Sequence, residues 1–276
     1  MNRYDVLFRE RHAVGEGVLV PFIMLGDPDP ATSLAVIRTL VENGADALEL
    51  GIPFSDPIAD GPVIQRAALR ALNGGATPPL CLDLVRQVRA IYPEIPIGLL
   101  VYANLVVNRE NFEFYRLAGL SGVDSVLVAD VPSGEAAPFI EAARRANVAP
   151  VLMLPHDADQ ATVSRVARMS EGYTYLMGRS GVTGHETRSP KPNQDLLASL
   201  EAAGGPPALV GFGIAGPDQV RQAMNAGTAG VIVGSALVAM IERHGREPLE
   251  LHRRLGELMR DLKAATRVGP GSRLPA

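Results

Sequence analysis

The sequence predicts an α/β protein of the TIM-barrel type, a closed (β/α)8 barrel with an N-terminal capping helix and extra helices after strands 2 and 8. Three observations predict it. Eight short runs are nearly continuous in apolar residues, as strands buried on both faces should be. Longer amphipathic stretches with helical periodicity separate them. The competing architecture, an open doubly wound sheet, lacks its fingerprint: Leu25-Gly26-Asp27-Pro28 follows the first strand, not Gly-x-Gly-x-x-Gly.

Taken in order, residues 1–13 form a short helix capping the barrel bottom, with Tyr4, Leu7 and Phe8 sharing a face. Strands are expected at 18–24, 45–50, 97–102, 125–129, 150–154, 174–177, 208–212 and 230–233. Helical patterns occupy, among others, 31–43, 111–119, 135–146, 159–170, 194–203 and 217–226. Ser133 ahead of Glu135, and the pair Pro217-Asp218, are helix start signals. After the second strand, residues 53–62 are rich in Pro, Asp and Gly, and an additional helical run follows at 63–72. Cys81 lies in an amphipathic run with Leu80, Leu84, Val85 and Val88 and reads as a small buried apolar residue. No composition break marks a linker, so 1–267 is expected to be one domain and the Gly/Pro-rich 268–276 a disordered tail.

The 276 residues, 47% of them hydrophobic, suffice for one sizeable core. A net charge of −4 with no basic stripe argues against nucleic acid as a partner. Arg144-Arg145 and Arg253-Arg254 lie in mixed-charge helical stretches and read as solvated helix faces. One cysteine leaves no internal disulfide and fits a reducing cytosol. No run approaches the roughly 20 apolar residues of a membrane span, and the N-terminus lacks a signal-peptide design. A cytoplasmic protein is expected. The five histidines, His12, His156, His185, His244 and His252, show no metal-ligand spacing, so neither metal nor organic cofactor is expected in this chain.

In such barrels the active site lies at the C-terminal strand ends. Alternation in the second strand puts Ala45, Ala47 and Glu49 on one face. A carboxylate on the lumen side there is poorly solvated, which raises its pKa toward neutrality and suits it to proton transfer. The other reading has Glu49 pointing outward to a basic residue. Three prolines and two aspartates stiffen residues 53–62; Asp56 reads as a turn former, and Asp60 as a functional carboxylate or an N-terminal helix cap. Phe212-Gly213-Ile214 ends strand seven, and Val233-Gly234-Ser235-Ala236 ends strand eight and enters a helix. Glycines at both ends favour a phosphate site, with backbone N–H groups and a helix dipole as donors. Residues 179–193, Gly-rich and then polar, read as a mobile lid whose Gly184 can also donate to the phosphate.

These residues carry a resemblance. Pro21-Phe22, Leu25-Gly26-Asp27-Pro28, the run from Gly44 through Glu49 to Pro57, and Ala59-Asp60-Gly61-Pro62 closely resemble the tryptophan synthase alpha subunit family. So do Tyr102-Ala103-Asn104, Gly122-Val123-Asp124, Ala129-Asp130-Val131-Pro132, Gly181-Val182-Thr183-Gly184, Gly211-Phe212-Gly213-Ile214 and Gly234-Ser235-Ala236. The resemblance spans essentially the whole chain. It implies retro-aldol cleavage of indole-3-glycerol phosphate to indole and glyceraldehyde 3-phosphate. By the same resemblance Glu49 is the acid–base group and Asp60 the carboxylate near the indole N–H. Phe22, Ile64, Leu100, Leu127, Ala129 and Ile232 wall the indole. Tyr175 sits beside Glu49, and Thr183 hydrogen-bonds toward Asp60 on lid closure. Gly184, Phe212, Gly213, Gly234 and Ser235 hold the phosphate. It further implies an αββα tetramer with a beta subunit that receives the indole and itself carries the pyridoxal phosphate. The loop of Pro53, Phe54, Asp56 and Pro57 faces that partner. Met24, where the family usually has a small polar residue, and His156-Asp157 depart from the pattern.

Three alternatives stay open on sequence grounds. One is a free-standing indole-3-glycerol phosphate lyase that releases indole without a beta partner. Another is a phosphate-binding barrel isomerase, which leaves 53–62 without explanation. The third is a non-catalytic barrel that only binds a sugar phosphate or a partner.

Overall fold

Apolar runs flanked by turn residues become eight strands in the computed structural model, which describes residues 2–107, 111–178, 193–211 and 213–268. They are β1 (Val18–Met24), β2 (Leu48–Gly51), β3 (Ile97–Val101), β4 (Ser125–Val128), β5 (Ala149–Leu154), β6 (Thr174–Met177), β7 (Ala208–Gly211) and β8 (Gly230–Val233). Each pairs in parallel with the next, and β8 pairs with β1, so the sheet closes in chain order. β1, β2, β7 and β8 are buried along their whole length, under side chains on one face and helices on the other. The predicted barrel is therefore the observed one.

Helices α1 (Arg3–Ala13), α2 (Pro30–Glu42), α3 (Pro62–Asn73), α4 (Pro78–Ile91), α5 (Ala103–Val107), α6 (Asn111–Leu120), α7 (Ala137–Arg145), α8 (Gln160–Met169), α9 (Gln194–Ala202), α10 (Pro217–Asn225), α11 (Ser235–His244) and α12 (Pro248–Ala265) connect and surround the strands. Caps explain many of their starts. Asp29, Thr77, Asp159 and Asn193 each accept a first-turn N–H of the helix that follows. Prolines stand in the first turn of six helices, where no backbone donor is lost. Extra helices follow β2 and β8 as expected, and the five-residue α5 adds one after β3 that the sequence reading did not include.

Three local expectations are corrected. α7 begins at Ala137, not at 135, and Ala136 caps it without a side-chain bond. A start at 135 puts Pro138 deeper in the helix, whereas the observed start keeps it in the first turn. β2 begins at Leu48 because residues 45–47 serve other contacts: Ala45 N–H closes the end of α2 on Leu40, and the Asp46 carboxylate accepts the Leu19 N–H (2.8 Å). β3 ends at Val101, which leaves Tyr102 just beyond the strand.

The bottom of the barrel is closed by α1. Tyr4 and Leu7 are buried with Phe8 packed against the core, and the Tyr4 and Ser125 hydroxyls lie 2.8 Å apart at the start of β4. Lys263 of α12 pairs with Asp46 (2.8 Å) and Glu16 (3.1 Å), tying the C-terminal helix to the same end. Arg144 pairs with Glu171, Arg145 lies over the Phe112 ring, and Arg253 and Arg254 bridge to Glu250, so both arginine pairs occupy charge-balanced helix faces. Cys81 is buried, and burial pushes its thiol up to about 12. Val268 still donates to Gly15 (3.0 Å); the rest of the expected tail lies outside the described residues. No described helix is long and apolar enough to cross a membrane.

At the opposite end a charged clamp joins α3 to α11. Asp27, its side chain fully buried, accepts two bonds from Arg70 (2.8 Å each), and Arg70 and Arg66 both reach Glu242 (2.9 and 2.7 Å). Burial pushes the Asp27 carboxyl above its ordinary pKa against the pull of Arg70, so the arginine is what makes an ionised Asp27 tolerable. Arg70→Met is expected to lower the unfolding free energy by about 3 kcal/mol, the range for removing one partner of a buried pair. The double variant Asp27→Asn/Arg70→Met should lose less than the two single losses added together; urea denaturation of the three variants checks this.

Candidate active site

Strand register decides which side chains enter the barrel. Phe22 pairs with Glu49, Glu49 with Gly98, Gly51 with Leu100, and Leu100 with Leu127. Met153 pairs with Tyr175, and Val20 with Ile232. Laterally paired residues of parallel strands point the same way, so all of these face the lumen. Glu49 therefore points inward, where it is 1% exposed. Its Oε1 accepts a hydrogen bond from the Tyr173 hydroxyl at 2.7 Å, and its Oε2 is buried with no hydrogen-bond partner among the described residues. Burial pushes the carboxyl up to about 7, against the pull of Tyr173.

Asp60 is held differently. Gly61, not Asp60, caps α3, and it does so without a side-chain bond. The carboxyl of Asp60 takes its hydrogen bond from the Tyr102 hydroxyl, which also accepts the Ala59 N–H at 3.1 Å. Phe54 stacks on the Tyr102 ring (centroids 5.4 Å apart), and Gln65 donates to the Asp60 carbonyl (2.8 Å). One tyrosine beyond β3 thus fastens both ends of loop 53–62. Asp60 is buried, and desolvation raises its pKa to about 6. Asp56, exposed at the loop tip, accepts from the Ser55 hydroxyl as a local turn former does.

The walls around the two carboxyls are apolar. Phe22, Leu127, Ile232 and Ile64 are buried, while Leu100 and Ala129 are half-buried at the upper rim. Glycines at the strand ends make room. A Cβ at Gly51 meets Phe22 Cζ at 2.9 Å and Met24 Sδ at 3.0 Å, and a Cβ at Gly211 meets the Tyr175 hydroxyl at 2.0 Å. Met24 is buried and packs over Gly51, directly above the strand that carries Glu49. Tyr175 is buried too; its hydroxyl pKa is raised by burial first and then by the charges of Glu49 and Asp60. His156 at the β5 end is half-buried, with Nδ1 3.7 Å from Asp157.

Gly234 caps α11 without a side-chain bond and lies against the Phe22 ring; Ser235 is the first helical residue. Gly213, exposed just past β7, has a φ of 85°. A helix N-terminus beside the apolar pocket is a suitable seat for an anionic group. Phe212, Thr183 and Gly184, with the whole 179–192 part of the expected lid, lie outside the described residues. No group of three or more potential metal ligands occurs among the described residues.

The sequence reading missed Tyr173 and Tyr102 as site residues. Tyr173 precedes Tyr175 by two and so shares its face, a signal that was available. Tyr102 stands in the Tyr102-Ala103-Asn104 run that carries the resemblance, but its contact with Asp60 depends on where a non-adjacent loop folds back.

A carboxyl whose pKa is raised on folding stabilises the protein below its ordinary pKa of 4.5, and that contribution is lost as pH rises through about 7. Relative to Glu49→Gln, the wild-type chain is therefore expected to lose about 3 kcal/mol of stability between pH 4.5 and pH 8. Urea unfolding of both at the two pH values measures it; parallel pH dependences contradict it.

Comparison with known proteins gives the family and agrees with the fold. The family model "Tryptophan synthase alpha chain" matches residues 8–267. The tryptophan synthase alpha chain of Shewanella oneidensis is 54% identical over 265 residues, 96% of this chain and 95% of that one. The corresponding chain of Vibrio vulnificus is 51% identical over 266 residues, 96% of this chain and 99% of that one. Among solved structures, tryptophan synthase subunit alpha from Legionella pneumophila superposes with a TM-score of 0.85 at 30% identity, covering 96% of this chain and 98% of that one. A chain of Mycobacterium tuberculosis tryptophan synthase gives 0.86 at 28% identity, covering 97% and 99%. With a buried carboxyl at the mouth of its barrel and likeness over nearly all its length, this chain belongs to the tryptophan synthase alpha chain family.

Proposed function

We propose that this chain cleaves indole-3-glycerol phosphate to indole and glyceraldehyde 3-phosphate, with Glu49 as the proton-transfer group and Asp60 as the charge-stabilising carboxylate. The observation that supports the reading is the pair of buried carboxyls, near 7 and near 6, at the open end of an apolar barrel. Separated midpoints let one group enter protonated while the other is ionised.

The chemistry balances on these two groups. Protonated Glu49 gives its proton to indole C3, which leaves positive charge on the ring. Asp60, ionised, lies near the ring N–H and offsets that charge. The hydroxyl on the adjoining side-chain carbon then returns a proton to Glu49. Its oxygen forms the aldehyde double bond, the carbon–carbon bond breaks, and that electron pair restores neutral indole. Glu49 ends as it began. Phe22, Ile64, Leu100, Leu127, Ala129 and Ile232 wall the indole, and Tyr175 lies alongside. Gly213, Gly234 and Ser235 hold the phosphate; the parts expected of Phe212, Thr183 and Gly184 fall on residues outside those described.

We further infer that indole passes to a beta subunit in an αββα assembly, and that the pyridoxal phosphate belongs to that partner. The loop of Pro53, Phe54, Asp56 and Pro57 faces it; the exposed Asp56 and the 77% exposed Ile58 beside it support that face. A cytoplasmic location fits a chain with one buried cysteine.

Glu49→Gln is expected to lower cleavage by at least about a thousandfold, within the usual range for a lost acid–base group, while indole-propanol phosphate still binds. Retained cleavage overturns the role of Glu49. For wild type, kcat/KM should rise as Asp60 ionises near pH 6 and fall as Glu49 ionises near pH 7. Indole release should increase when a beta subunit is added; strong release alone with no activation replaces the synthase reading with a free-standing lyase.

A further inference from the structure

Tyr173 plays no part in the chemistry just described, yet its hydroxyl is the described group that touches the Glu49 carboxyl. Its own placement is set by contacts on both sides. The Tyr173 carbonyl accepts from Ser170 Oγ (2.8 Å) and its N–H donates to the Glu171 carbonyl (2.9 Å), which fixes the backbone just before β6. From below, the Tyr4 ring of α1 packs on the Tyr173 ring with centroids 5.4 Å apart, and both rings are buried. The Tyr4 hydroxyl is in turn tied to Ser125 at 2.8 Å. A continuous column runs from the N-terminal helix through two phenol rings to the carboxyl.

We propose that Tyr173 is a positioning residue for Glu49, holding Oε1 so that Oε2 is the oxygen that exchanges the proton with substrate, and that Tyr4 braces it from the barrel floor. This rests on Glu49 being the proton-transfer group. The chemical reason is the direction of the bond. A phenol donates to a carbonyl-type or ionised oxygen, so in the neutral acid Oε1 is the acceptor and the proton resides on Oε2. Oε2 is the oxygen left without a described partner. An unmade hydrogen bond on a buried oxygen is costly unless substrate supplies the contact, which is the state expected of a group that acts on a ligand.

The same bond bears on pH dependence. The groups facing Glu49 are few. Tyr175 comes from β6, Tyr173 from the residue just before it, and Tyr4 from α1; Asp60 acts on Tyr175, and Asp124 and Arg89 lie across Tyr4. The neighbouring strands present Phe22 and Gly98 at the level of Glu49, neither of them charged. Tyr173 donates to the ionised form and so opposes the effect of burial. Without it the carboxyl holds its proton to higher pH.

The test is Tyr173→Phe in the full-length chain, assayed with its beta subunit and compared with wild type. The expected result is a kcat lower by about tenfold, the lower end for losing a hydrogen bond to a charged group. KM and the binding of indole-propanol phosphate should be unchanged. The alkaline limb of kcat/KM should move up by about one pH unit, as a tenfold change in ionisation requires. A fluorinated tyrosine placed at 173 keeps the packing and donates more strongly, so it should move the same limb down; this arm covers a Phe variant that folds poorly. A lower kcat with the alkaline limb unmoved in both variants overturns the proposal and leaves Tyr173 a packing residue. Glu49→Gln separates the two readings: if that variant still cleaves, the role of Glu49 fails, whereas an inactive Glu49→Gln with an unmoved limb in the Tyr173 variants removes only the positioning role.

Discussion

Burial of the Glu49 carboxyl, with one described donor on Oε1 and none on Oε2, is the constraint to which the surrounding structure answers. An isolated carboxylate in an apolar interior shifts its pKa rather than remain charged. That shift is useful only if the group stays put and water stays out. The closed ladder supplies the first condition, because β2 is paired on both sides and cannot slide without moving every inward side chain. Helix α1 supplies the second at the floor, where Tyr4 and Leu7 fill the lower opening.

Asp60 meets a different constraint. It sits on a loop, where backbone freedom would blur its position, and the loop is stiffened by Pro53, Pro57 and Pro62 and fastened by Tyr102. The helix that follows, α3, is in turn held to α11 through Asp27, Arg70, Arg66 and Glu242. α11 begins at Gly234–Ser235, the proposed phosphate seat. The buried clamp therefore links the element that carries Asp60 to the element that would hold the other end of the substrate. Phe22 makes a second link, touching both Gly51 and Gly234 across the pocket.

Particular elements show where local signals suffice. Strand β1 is legible residue by residue and helix α10 to within one residue, because continuous apolar burial and a proline start are local properties. Strand alternation groups Glu49 with Ala45 and Ala47 but leaves inward and outward open; the register with Phe22 and Gly98 and the burial of Glu49 decide for inward. Failures occur where a distant contact competes. Asp46 reads as part of a strand, but its carboxylate is taken by the Leu19 N–H and Lys263, so the strand starts later. Ser133 and Glu135 form a plausible helix start, yet Pro138 sets it two residues on.

By itself the sequence determined the barrel, the strand on which Glu49 lies, the stiff loop that carries Asp60, and the glycines at the ends of β7 and β8. These depend on periodicity and on backbone preferences, which are written locally. Tertiary structure alone decided that Glu49 is met by Tyr173, 124 positions away, and that Asp60 answers to Tyr102 rather than capping α3. Desolvation and hydrogen bonding are properties of the space around a group, and that space is assembled from residues far apart in the chain. The identity of the two carboxyls, and the direction in which burial would move Glu49, could be read in one dimension; the tyrosines that meet them could not.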